Sequence, residues 1–103
     1  MRLRYLSTAE PGLRWMRSYY RNHPQLDIVA VSAALAIAER TIISHPESGA
    51  RFEDFDRVRE YHIRSTPFSL LYTVIPDQVL VIDVRDTRGQ RSADVLRKFL
   101  AGL

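Results

Sequence analysis

The sequence predicts an α+β fold of the order β-α-α-β-β-β with a short C-terminal helix, in which an antiparallel sheet packs on a helical hairpin. Three observations carry this. Two apolar runs, Phe68 to Ile75 and Val79 to Asp86, are separated only by the turn Pro76-Asp77-Gln78. Upstream, helical periodicity fills the region before His45 and is interrupted once, at Asn22-His23-Pro24. Between helices and sheet, His45-Pro46-Glu47-Ser48-Gly49 is a clear break.

Arg2 to Ser7 alternates Leu3 and Tyr5 with Arg2 and Arg4, which predicts a short first strand. Ser7 or Thr8 is the expected cap of the following helix, with Glu10 and Pro11 in its first turn and its end near Arg21. Leu13, Trp15, Met16, Tyr19 and Tyr20 fall in one arc and read as core. Arg14, Arg17 and Arg21 lie opposite and read as a solvated face. Pro24 is the expected start of a second helix that runs through Ser44. That helix has few polar positions between Leu26 and Ala38, so it requires burial on more than one side, against the first helix, the sheet and a third partner such as a second protein chain.

Ala50 to Asp56 is a polar connector anchored by Phe52 and Phe55. Val58 to Arg64 is a short strand, ended by Thr66-Pro67. Period-two alternation turns Tyr61 and Ile63 toward the helices and Glu60, His62 and Arg64 away. On the last strand it separates Leu80, Ile82 and Val84 from Val79, Val81, Asp83 and Arg85. Ser92 to Leu100 is the expected C-terminal helix.

The chain has 103 residues, which allows one domain (residues 1–103) with one modest core; 46% apolar residues argue against disorder. The formal net charge of +3 suits an acidic partner, and 14 of the 15 cationic residues are arginine, whose planar fork suits bidentate pairing with phosphate or carboxylate. A biased genome composition would give the same count. Absence of cysteine excludes disulfides and thiolate chemistry and fits a cytoplasmic protein. No secretion signal is expected, and the longest apolar run is too short to cross a bilayer. No glycine-rich phosphate loop, metal cluster or Ser/His/Asp set is visible, so no cofactor or metal is expected. Arg85, Arg88 and Arg91 follow the last strand around Gly89 and are expected to converge with Arg64 on one acidic patch of a target.

Five motifs follow one another along the chain: His45-Pro46-x-x-Gly49, Val58-Arg59-x-Tyr61-x-Ile63, Thr66-Pro67-Phe68-x-Leu70-Leu71-Tyr72-x-Val74, Val79-x-Val81-Ile82-x-Val84, and the closing Arg88 and Arg91. In this order they resemble the RelE/ParE superfamily of bacterial type II toxins. The resemblance implies a growth-inhibiting toxin neutralised by a cognate antitoxin, with Leu35, Ile42 and Phe99 as antitoxin contacts and operator DNA reached only through the antitoxin. The RelE branch cleaves mRNA on the ribosome with basic residues on the sheet and a tyrosine after it; here His62, Arg64 and Arg88 would be the groups available. The middle-strand arginine of that branch falls on Ser69, and no tyrosine follows Tyr72. The long helical hairpin and the His-Pro-x-x-Gly break look more like the ParE branch, whose members poison DNA gyrase. The expectation is therefore a gyrase-binding toxin. A ribosome-dependent endonuclease and a non-toxic repressor subunit remain open.

Overall fold

The computed structural model describes residues 1–88. The expected helix from Ser92 to Leu100, together with Gly89, Arg91 and Phe99, lies outside the described residues. Strand β1 is Arg2–Tyr5, helix α1 Glu10–Arg21 and helix α2 Ile28–Ser44. Strands β2 to β5 are Ala50–Arg51, Arg59–His62, Phe68–Ile75 and Gln78–Asp86. They form one five-stranded sheet in the order β1-β5-β4-β3-β2. All neighbours are antiparallel except β1, which runs parallel to β5 from Arg2↔Gln78 to Tyr5↔Val81.

The first helix does not start as expected. Ser7–Ala9 form a single 3-10 turn, and α1 begins at Glu10 with no side-chain cap, Pro11 in its first turn. Thr8 instead donates its hydroxyl to the Ile82 carbonyl at 2.6 Å, tying this turn to β5. Gly12 is buried where α1 crosses β5, and a Cβ there would collide with the Val84 carbonyl. This close approach sets α1 on the central strand. Met16 and Tyr20 point into the core as periodicity requires, whereas Trp15 is 50% exposed.

Helix α2 starts at Ile28 and not at Pro24. The Asp27 carboxylate accepts from the backbone of Val29 (3.0 Å) and Ala30 (3.1 Å), which satisfies two orphan amides and fixes the start there. Ala38 and Ile42 are buried against the sheet, and Tyr5 donates to Glu39 at 2.6 Å. Burial and that hydrogen bond raise the Tyr5 pKa well above its ordinary value. Helix α2 is not enclosed on several sides within the chain: Ile28, Val29 and Ile37 remain exposed.

The main core lies between helices and sheet and joins Ala9, Met16, Tyr20, Ala38 and Ile42 to Ile63, Phe68, Leu70, Tyr72, Val79, Val81 and Val84. Strict alternation on β5 fails at one point. Leu71 pairs with Asp83 but Tyr72 pairs with Val81, so Ile82 is the extra residue of a bulge in β5. Val84 therefore joins Val79 and Val81 on the helix side. Ile82 turns to the far face, where Phe52, Val58 and Leu71 form a second small core under the 50–58 connector.

The His45-Pro46-x-x-Gly49 break has a structural purpose. The Tyr72 hydroxyl from the middle strand donates to the Pro46 carbonyl at 2.7 Å and accepts from the Gly49 amide at 2.9 Å. Arg59 closes the same turn by donating to the Gly49 and Glu47 carbonyls. A Cβ at Gly49 would lie 2.7 Å from the Tyr72 hydroxyl, so only glycine lets the loop come this close.

Candidate functional site

The arginines expected to converge after the last strand are split between the two sides of the sheet. Arg85 lies on the far face, where it donates to Glu60 at 2.8 Å and sits 5.3 Å from the centre of the Phe52 ring. Both partners are largely covered, so this cation is already matched in charge and packing. Ser69, cross-strand neighbour of both His62 and Arg85, is buried.

Arg88 lies on the helix side. Its Nε and Nη2 each donate at 2.9 Å to one oxygen of Asp86, and its guanidinium stacks 4.6 Å above the Tyr19 ring. Trp15 donates its indole N–H to the same carboxylate at 2.9 Å. The Arg88 hydrogen bonds, reinforced by Trp15, hold the Asp86 carboxyl well below the usual range, and Asp86 in turn raises Arg88. Tyr19 also packs edge-on to Tyr20 and Phe68, which anchors this surface cluster to the core.

Arg64 sits on the turn between β3 and β4, which is tightly tied. Thr66 donates its hydroxyl to the Ile63 carbonyl and accepts from the Phe68 amide. Ser65 takes a left-handed φ of 63°. His62 Nε2 lies 2.6 Å from the Thr66 carbonyl; a carbonyl only accepts, so Nε2 carries the proton. Thr87 bonds the Pro67 carbonyl through its amide (2.7 Å) and hydroxyl (2.8 Å), which pins the strand exit beside this turn. Among the described residues, Arg64 has no ion-pair partner.

Arg64 also borders a groove of about 570 Å³ whose walls include Tyr19, Tyr20, Leu26, Ala34 and Ile37. A second groove of about 640 Å³ runs on from it past Tyr61 and His62, again with Arg64 and Ile37 at its edge. Arg64 and Arg88 thus belong to one side of the molecule, joined through Tyr19, and Arg85 belongs to the other. Of the antitoxin contacts expected from sequence, Ile42 is fully buried in the monomer's own core and presents no surface, while Leu35 packs against that core and is only partly covered. The exposed residues beside them are Val29, Ala33 and Ile37. Arg91 and Phe99 lie outside the described residues.

Trp15 and Tyr19 were not legible in the sequence as part of this surface. Asp86 stands two residues before Arg88, a spacing that lets a carboxylate turn back onto the guanidinium as a rim ion pair. Among the described residues no group of three or more His, Cys, Asp or Glu is placed to hold a metal, and no helix is long and apolar enough to cross a membrane.

No protein-family model and no curated protein matches the sequence. Among solved structures, a chain of the "Chromosomal ParDE TA system from P. aeruginosa" superposes with a TM-score of 0.66 at 17% identity, covering 84% of this chain and 95% of that one. Together with the sheet order and the two-helix cover, this places the chain in the RelE/ParE-like fold.

Proposed function

We propose that this protein is the toxin of a type II toxin–antitoxin pair, that it inhibits growth by binding DNA gyrase, and that a co-encoded antitoxin neutralises it. The fold shared with a chain of a ParDE toxin–antitoxin system supports the first part. The observation that carries the protein-binding reading is the separation of the basic groups. Stabilising the phosphorane of RNA cleavage calls for several cations around one phosphate, with an acid and a base beside them. Here Arg85 is matched by Glu60 on one face, Arg88 is held by Asp86 beyond the other, and buried Ser69 occupies the middle-strand position. Arg64, Arg88, Trp15 and Tyr19 instead form a cationic and aromatic surface of the kind enriched at protein interfaces.

The antitoxin site we favour is the groove between α1, α2 and the β3–β4 turn. Its wall is apolar, and Arg64 at its rim offers a cation to an acidic residue of an amphipathic helix laid along it. The reading is tested by inducing the protein in a bacterial host. DNA-damage signalling and filamentous growth are expected, together with relief by the co-encoded frame. Early cleavage of mRNA at the ribosomal A site, mapped by primer extension, would replace gyrase by the ribosome as target.

A further inference from the structure

Helix α2 carries a pattern that the core does not use. Ala38 and Ile42 face the sheet, and the opposite side of the helix exposes Val29, Ala30, Ala33, Ala36, Ile37 and Arg40. Val29 is 75% and Ile37 52% exposed. Counted outward from Ala33, the side chains match in size. Ala30 and Ala36 stand three residues away and Val29 and Ile37 four, while Arg40 stands seven residues toward the C-terminal end. Three, four and seven are the spacings that keep residues on one helical face.

Such a face is complementary to itself in the antiparallel direction. About a two-fold axis at Ala33, alanine meets alanine where the backbones come closest, and Val29 of one copy packs beside Ile37 of the other. Arg40 of each copy then arrives at the start of the other's α2, where the exposed Asp27 carboxylate caps the helix. Neither Asp27 nor Arg40 forms an ion pair with a described residue. The contact therefore supplies its own charge complementarity, repeated twice by symmetry. We infer that α2 is a self-association surface, through which two copies of this chain pair as an antiparallel two-fold dimer centred on Ala33. A helix of 17 residues spans roughly 25 Å, so the interface is at the small end of specific contacts and the dimer is reversible.

The chain has no cysteine, so single cysteines report the register. In the whole chain, Ala33→Cys is expected to form a covalent dimer on mild oxidation, because the axis puts residue 33 beside its own copy. Ser32→Cys, about 100° round the helix, is expected to stay monomeric under the same conditions. A mixture of Ala30→Cys and Ala36→Cys is expected to cross-link between the two variants in preference to either alone. In sedimentation the unaltered chain should dimerise with concentration, and Ala33→Arg should raise the dissociation constant at least about tenfold with an unchanged melting temperature. Cross-linking at residue 32 as fast as at 33, or a monomer throughout the high-micromolar range, overturns the proposal.

Discussion

Arg88 grips both carboxylate oxygens of Asp86, with Nε on one and Nη2 on the other, each at 2.9 Å. This pair, roofed by Tyr19 and tied to Trp15, fixes the strand exit against α1. Asp86 is held below its unfolded pKa, so its contribution to stability is complete above the ordinary carboxylate value of about 3.9 and declines as pH falls toward the folded value. Asp86→Asn is expected to lower the melting temperature at neutral pH. The gap to the parent protein should close as the pH drops below about 4, and a gap that persists unchanged into acid would show that the charge is not the stabilising feature.

The split of the arginines separates toxicity from the far-face ion pair. Arg64→Ala with Arg88→Ala is expected to weaken target binding by about a hundredfold and to abolish growth inhibition while the fold persists. Arg85→Ala removes a largely covered ion pair on the far face. It is expected to cost about 1 kcal/mol after allowance for solvent screening and to leave growth inhibition intact. Growth assays and denaturant midpoints on the two sets check this. Loss of toxicity from Arg85→Ala in a stably folded protein would move the functional surface to the other face.

Tyr72→Phe tests the loop after α2. It strips the hydrogen-bond partner from both the Pro46 carbonyl and the Gly49 amide. An unsatisfied buried group costs about 1–3 kcal/mol, and urea denaturation with an unchanged m-value is the expected signature. A change within about 0.5 kcal/mol would mean that water replaces the hydroxyl without cost.

Two isoleucines on α2 are expected to behave in opposite ways. Ile42→Ala empties a fully buried site and should cost about 2–5 kcal/mol. Ile37→Ala, on the exposed side and at the rim of both grooves, should change stability by about 0.5 kcal/mol or less while weakening antitoxin binding. Because Ile37 also lies on the self-association face, the antitoxin should disperse the two-fold dimer. Titration calorimetry and sedimentation with the co-encoded partner measure both effects.

The sheet was legible where apolar runs are long and turns are sharp. Phe68–Ile75 stands as expected, and Val79–Asp86 is lengthened only by Gln78. The faces of β5 were not legible, because the bulge opposite Leu71 and Tyr72 inserts Ile82 and reverses the parity for Val84. At the start of α2 two signals competed, and the Asp27 carboxylate prevailed over Pro24 because it satisfies amides that a proline leaves open. Arg85 and Arg88 looked like one cluster because sequence spacing at a strand exit does not record which side each side chain takes. Glu60 and Tyr19, which draw them apart, are distant in sequence. The helix-side surface was half visible. Arg64 and Arg88 were expected to meet, but alternation had turned Arg64 away from the helices, which fails because Arg64 lies on the turn after β3 and borders the helical groove. Trp15 and Tyr19 were assigned to the core by a periodicity that does hold for Met16 and Tyr20.

The most direct test of the account is a plasmid cleavage assay with purified gyrase and this protein. Linear plasmid is predicted to accumulate when the protein is added, to disappear when the antitoxin is added first, and to be absent with the Arg64→Ala, Arg88→Ala protein. Intact plasmid and normal supercoiling at saturating toxin, in a preparation that still arrests growth, would contradict gyrase as the target.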